Sequence, residues 1–248
     1  MNLDFKSRLK LLGKEILDFF YSRECLNSGA ILRSESDYRY LSDQSINEMI
    51  WAKDPACLMC GYPFAGEVQG QRVCPKCKDS KFVFLSGKTA FVLKGPGKKL
   101  VHEFKYHKGF HLLPDIVKLV KRMPGYIEFL EDAILVPVPL HRSKMRRRGF
   151  NQSFLLAESF AKEARGAKVV ELLKRVKKTA TQTYLGRDLR QKNVKNAFAL
   201  SSKAVINGAL RYVIIDDVFT TGATLNACAN VLKENGAKNI HILTLGHG

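Results

Sequence analysis

The segment Tyr212-Val-Ile-Ile-Asp216-Asp217-Val-Phe-Thr220-Thr221-Gly222-Ala223-Thr224 limits the fold of this chain more than any other. An apolar run of buried-strand type meets two adjacent aspartates and a loop of small residues. A helical pattern follows over residues 224–235, with Gly236 placed to end it. A strand that feeds a helix through so short a loop belongs to a parallel α/β sheet, where ligands lie at the carboxyl ends of the strands. The start of such a helix presents backbone N–H groups and a positive dipole end, both suited to phosphate. Gly222 and Ala223 let an anion approach the backbone, and Thr220, Thr221 and Thr224 add hydroxyls. Asp216 and Asp217 repel one another, so packing does not explain them. They would repel phosphate too, but are well placed to accept hydrogen bonds from sugar hydroxyls. The segment reads as a site for a ribose 5-phosphate.

The rest of the chain continues the alternation. Strand-like runs at 90–93, 134–138, 169–173 and 240–245 interleave with helical patterns at 111–123 and over Phe154, Ala157, Phe160 and Ala161. Gly95-Pro96-Gly97 reads as a break in regular structure. The expected fold is α/β, with a central, mainly parallel sheet. Upstream, Phe5, Leu9, Leu12, Ile16 and Phe20 share a face of an amphipathic helix over 4–21, and 22–50 carry no legible motif. The division expected is an N-terminal helical extension at 1–50, a small module at 51–84 and the α/β domain at 85–248.

Cysteines define the small module. Cys57-Leu-Met-Cys60 and Cys74-Pro-Lys-Cys77 are two CxxC turns with 13 residues between them, and two such turns can bring four thiolates to one tetrahedral zinc. Gly61 suits the tight turn after the first pair. A disulfide or thioredoxin-like pair is the competing chemistry; a reducing compartment and the doubling of the motif weigh against it. Four protein ligands leave no open position, so a zinc held there is structural. Cys25 and Cys228 read as free thiols, Cys228 in the core beside Leu225, Ala229 and Leu232.

Charge is the third constraint. The 248 residues include 41 Lys and Arg against 23 Asp and Glu, a net +18, and residues 135–200 alone hold 16 basic and 4 acidic side chains. One basic stretch is Pro139-Leu140-His141-Arg142-Ser-Lys144-Met-Arg146-Arg147-Arg148, lying between the strand-like run and a helix that begins near Asn151. The other spans 174–198 and includes Gln182, Arg187, Arg190 and Asn193; it reads either as a mobile loop over the site or as a solvated basic face. Such charge can hold the phosphates of a small ligand or of a nucleic acid, or can simply coat a surface. Phe104, Tyr106, Phe110, Phe150 and Tyr184 lie in or near the basic stretches, where rings could stack on unpaired bases. The longest uncharged apolar run, 133–140, has 8 residues and two prolines. A bilayer-spanning helix needs roughly 20, so none is expected. The opening residues have no secretory pattern, and a cytoplasmic protein is expected.

The segment DDVFTTGAT resembles the 5-phosphoribosyl-1-pyrophosphate (PRPP) motif of type I phosphoribosyltransferases. Taken in order, the two CxxC pairs, Phe104-Lys105-Tyr106 with Gly109, VPVPLHR…RRRGFNQ, the T-x-x-Q-x-x-L-x-R…R-x-x-N-V…A-F pattern and DDVFTTGAT resemble the ComF family of competence proteins (the ComFC/GntX-type, amidophosphoribosyltransferase-like group) over roughly residues 55–246. The resemblance implies a type I phosphoribosyltransferase-like fold with an N-terminal four-cysteine zinc module. It implies that Thr220, Thr221, Gly222, Ala223 and Thr224 grip the 5′-phosphate of PRPP, that Asp216 and Asp217 face its ribose hydroxyls, and that Mg²⁺ bridges ribose and pyrophosphate. Pro139, Leu140, His141, Arg142 and Arg148 would then belong to the pyrophosphate loop, and Gln182, Arg187, Arg190 and Asn193 to a flexible active-site loop. The implied role is DNA uptake in natural transformation; with the basic window at 135–200 added, single-stranded DNA is an expected ligand, and a competence helicase or another uptake protein an expected partner. Two rival readings remain: an active transferase making a nucleotide or N-glycoside, with Asp216 or Asp217 helping the nucleophile lose its proton, and an interaction module whose zinc knuckle docks a partner.

Overall fold

The computed structural model of the chain describes residues 23–66, 70, 72–106, 109–177 and 196–248. Its strands are β1 (Ser86–Val92), β2 (Ile134–Pro137), β3 (Lys168–Val169), β4 (Leu173–Arg175), β5 (Phe198–Leu200), β6 (Arg211–Phe219) and β7 (Asn239–His247). Five of them form one parallel sheet in the order β1-β7-β6-β2-β3, and β4 and β5 make a separate antiparallel ribbon. The longer helices are α1 (Gly95–Tyr106), α2 (Leu113–Lys121), α3 (Arg142–Arg148), α4 (Gln152–Ala161) and α5 (Ala223–Glu234).

Period-2 alternation sorts the strand side chains to two buried faces. Leu135, Val213, Ile215, Leu243 and Leu245 pack with Leu100 and Phe104 of α1, Ile116 and Leu119 of α2, and Leu156 and Phe160 of α4. Val136, Tyr212, Ile214, Ile240 and Ile242 face the other way, onto Leu225, Cys228 and Leu232 of α5 and the four paired cysteines. With both faces covered, the central strands read as continuous apolar runs, as Ile134–Pro137 and residues 212–215 do in the sequence. This is the α/β fold with a central parallel sheet that the sequence leads one to expect, with a compact four-cysteine cluster added.

Strand order decides where a ligand can sit. From β2 the chain moves outward to β3; from β6 it moves the opposite way, to β7. The connections diverge, and a crevice opens at the carboxyl ends of β2 and β6.

Several local expectations change. Gly95-Pro96-Gly97 opens α1 instead of breaking the chain, because a proline in the first turn removes an N–H that has no helical partner. β6 does not stop at Ile215: its pairing with β2 ends there, but its ladder with β7 runs on through Asp216 to Phe219. The candidate strand at 169–173 divides between β3 and β4. The basic stretch after β2 holds a helix, α3, capped by the His141 side chain and ended by Gly149 at φ 83°.

Residues 38–49 contribute Tyr38, Leu41, Ile46 and Met49 to the core beneath α1 and α2. The buried Asp115 carboxylate of α2 anchors this segment by accepting the backbone N–H groups of Arg39 (3.1 Å) and Tyr40 (2.8 Å). The amphipathic helix expected at 4–21 lies outside the described residues. No helix among the described residues is long and apolar enough to cross a membrane.

His241 on β7 makes this fold sensitive to acid. Its Nδ1 is 2.8 Å from Ser86 Oγ and its Nε2 2.6 Å from Asn239 Oδ1. Burial, reinforced by the Arg211 guanidinium, pushes the imidazole down to about 4. An unfolded-state histidine titrates near 6.5, so between these values the unfolded chain takes a proton that the folded chain refuses. Stability contributed by His241 is complete above pH 6.5 and is lost as pH falls toward 4, by about 1–2 kcal/mol at pH 5. Urea midpoints at pH 7 and pH 5 should therefore lie closer together for His241→Gln than for the wild type.

Candidate functional site

At the carboxyl end of β6, on the side of α1, lies a cleft of about 370 Å³. Its lining combines Asp216, Asp217, Thr220, Gly222, Ala223 and Thr224 with Lys98, His102, Lys105 and Tyr106 of α1. The carboxylates are there because β6 outruns β2; α1 is there because β1 and β7 lie on that side of β6.

Asp217 is buried and pairs with Lys105, Nζ to Oδ1 3.1 Å. Asp216 Oδ1 accepts the Ser153 hydroxyl at 2.9 Å and the Asp217 N–H at 2.9 Å. Burial, followed by the negative charge of Asp217, pushes the Asp216 carboxyl up to about 7, against the pull of Lys105 and Ser153. A carboxyl poised near neutrality can hold or release a proton at working pH.

The phosphate loop is shaped by Gly222. At φ 73° it adopts the left-handed conformation, and a Cβ there would come within 2.8 Å of both Phe219 and Phe82. No side chain caps α5 at Gly222; the Ala223 N–H reaches Thr221 Oγ1 only at 3.4 Å. The start of a 12-residue helix thus opens on the cleft beside Thr220 and Thr224. Thr221 does not line this cleft. It lines a neighbouring cavity of about 590 Å³ between the loop and the cysteine module, walled by Phe64, Phe82 and Phe219.

The four sulfurs of Cys57, Cys60, Cys74 and Cys77 all lie within 4.8 Å of one another and are buried. The Cys57 sulfur accepts the Cys74 N–H at 3.2 Å. Hydrogen bonds from the Cys60 and Cys77 thiols hold Cys57 far below the ordinary thiol range, and the same contacts push Cys60 and Cys77 far above it. Four sulfurs this close together are what a divalent ion gathers by displacing the thiol protons. The donor set fits a metal such as zinc.

The basic residues after β2 are only partly brought to the cleft. Pro139, Leu140, His141 and Arg142 follow the strand but do not line it. His141 instead caps α3, accepting the Ser143 N–H at 3.2 Å. Arg148 reaches the rim, its guanidinium 5.1 Å from the centre of the Tyr106 ring. Lys144 lies among these cations: burial, then Arg175, Arg148, Arg147 and Lys105, pushes its ammonium down. Gln182, Arg187, Arg190 and Asn193 lie outside the described residues. Lys98, His102, Lys105 and Ser153 are site residues that sequence reasoning did not single out. Lys105 stands inside a quoted motif, but Ser153 carries no sequence signal of its own.

No protein-family model matches the chain. Among curated proteins, it is 34% identical over 201 residues to the DNA utilization protein YhgH of Salmonella typhimurium, covering 76% of this chain and 82% of that protein. It is 36% identical over 147 residues to competence protein F of Haemophilus influenzae (58% and 64% of the two chains) and 24% identical over 212 residues to competence protein ComFC of Streptococcus pneumoniae (79% and 90%). Similarity to solved structures is lower: an allosteric regulatory enzyme of purine biosynthesis (18% identity, TM-score 0.35, 58% of this chain and 30% of that one) and a purine phosphoribosyltransferase from Pyrococcus horikoshii (17%, 0.28, 56% and 83%). On the extent of its match to YhgH, joined to the sheet and the cysteine cluster, the chain belongs to the ComF family of competence and DNA-utilization proteins.

Proposed function

We propose that this protein binds PRPP with Mg²⁺ in the cleft at the end of β6, and that it serves DNA uptake in the cytoplasm by handling single-stranded DNA. The observation that carries the ligand is the Asp216–Asp217 pair sharing one cleft with the open start of α5 and the hydroxyls of Thr220 and Thr224. A 5′-phosphate suits the helix start, and the carboxylates suit the ribose hydroxyls. Carboxylate oxygens facing a cleft are also the hard donors Mg²⁺ takes alongside ligand phosphates, and the ion would supply neutralisation of the pyrophosphate. The DNA side rests on the relatives named for competence and DNA utilization and on the basic surface beside the cleft. Zinc at the four cysteines would be structural, since all four positions are filled by protein.

The poise of Asp216 favours a second reading, an active phosphoribosyltransferase. A nitrogen nucleophile would form a bond to C1 as the C1–O bond to pyrophosphate breaks. Asp216 would accept the proton, and the cations beside the cleft would stabilise the leaving group.

Calorimetric titration of PRPP with Mg²⁺ tests the ligand. The wild type should bind, and the Asp216→Asn, Asp217→Asn double variant should bind on the order of 100-fold more weakly, two hydrogen bonds to charged groups having been weakened. Equal affinity in the two proteins, or no binding by the wild type, would sink the proposal.

A further inference from the structure

We infer that single-stranded DNA crosses the mouth of the PRPP cleft and stacks its bases on an aromatic ledge formed by Tyr106 and Phe110. The inference rests on the single-strand reading above and gives it a place. Of the large aromatic side chains among the described residues, these two are the most exposed, at 45% and 53%. They flank the point where α1 ends and the short turn Gly109–Leu112 begins.

Both rings are supported. Phe110 meets Phe150 edge to face, centroids 6.2 Å apart, and Phe150 lies 6.4 Å from the fully buried Phe104. Tyr106 packs beside His102 at 4.9 Å and carries the Arg148 guanidinium near its ring. Rings held in place lose little freedom when a base stacks on them. A surface that hid apolar area alone would have no need of the cations around it. Here Arg148, Lys144, Arg147, Arg175 and Lys105 share one electrostatic neighbourhood, and the Arg148 Nε is buried without a hydrogen-bond partner. Open rings inside a positive field are what a sequence-tolerant single-strand site consists of, because every base has a stacking face and every nucleotide a phosphate. A duplex hides those faces. Tyr106 and Lys105 also line the PRPP cleft, so the strand and PRPP would meet along a common rim.

Fluorescence anisotropy with a labelled oligothymidylate tests this on the whole chain. Tyr106→Ala and Phe110→Ala should each weaken binding at least about five-fold, and Tyr106→Phe, which keeps the ring, should stay close to the wild type. Arg146→Ala with Arg147→Ala should instead flatten the salt dependence. Tyr62→Ala, an exposed ring on the cysteine module, should change nothing. Thermal melts confirm that each variant is folded. If the wild type binds the oligonucleotide and neither alanine variant weakens it, the ledge is wrong while the single-strand reading stands. Duplex bound as tightly and with the same indifference to the rings also overturns it. No binding by the wild type at low salt overturns both.

Discussion

Stripping the metal from the cysteine module should weaken PRPP binding at least ten-fold as well as lower the melting temperature, although no cysteine lines the cleft. The module rests directly on the sheet. Gly61 approaches β1 so closely that a Cβ would lie 2.5 Å from the Thr89 nitrogen, and the Gly87 N–H donates to the Leu58 carbonyl at 2.9 Å. The chain leaving the module then forms the back wall of the phosphate loop. Phe82 stacks on Phe84 at 4.7 Å and abuts Phe219, and the position of Gly222 is limited by both Phe82 and Phe219. Asn226 of α5 ties the two together, accepting the Val83 N–H at 2.9 Å and donating to the Lys81 carbonyl at 3.3 Å. Structural zinc sites bind with about 10 kcal/mol or more, comparable to the whole stability of a domain. Without the ion the wall loosens, and the loop with it. Chelation followed by calorimetry, with zinc added back to restore affinity, checks this; Cys60→Ser should behave like the stripped protein. PRPP affinity that survives unfolding of the module would show that the loop stands alone.

Gly222→Ala should cost about 3 kcal/mol of stability and most of the PRPP affinity. The left-handed backbone at φ 73° strains any residue with a Cβ, by about 1–3 kcal/mol. The new methyl also meets two rings at 2.8 Å in a wall clamped by Asn226, an overpacking cost of similar size. Relief requires the loop to shift, and the helix start shifts with it. Ala223→Gly, one residue on and inside the helix, should lose about 1 kcal/mol or less. Urea denaturation and PRPP titration of both variants separate strain from site geometry. Unaltered affinity in Gly222→Ala would mean that the phosphate is bound elsewhere.

The parts of this site that the sequence made legible are the local ones. Asp216, Asp217 and the threonine loop announce themselves because strand, carboxylates and helix start are contiguous, and the CxxC turns do so because four ligands need only two short turns. What stayed hidden depends on elements distant in sequence. Lys105 matters because the strand order lays α1 beside the end of β6, and Ser153 because α4 begins where β2 stops. The length of β6 is set by its partner β7, so its own apolar run ends too early to reveal it. Helix α1 was masked by a Gly-Pro-Gly opening that reads as a break, and α3 by a run of arginines with no buried face. The basic residues were legible as charge but not as geometry: Arg148 comes to the rim, whereas Arg142 and His141 do not line the cleft.

The ion pair between Lys105 and Asp217 bears on how fast a ligand arrives. Two bare carboxylates on the floor of a cleft would hold off a polyanion at the separations where encounter is decided. Here an ammonium matches one of them, and the other is near half-protonation at neutral pH. The floor is close to neutral while the rim remains positive, so the multiply charged phosphate ester proposed as ligand would travel downhill into the mouth. Added salt would then slow the approach far more than it loosens the grip.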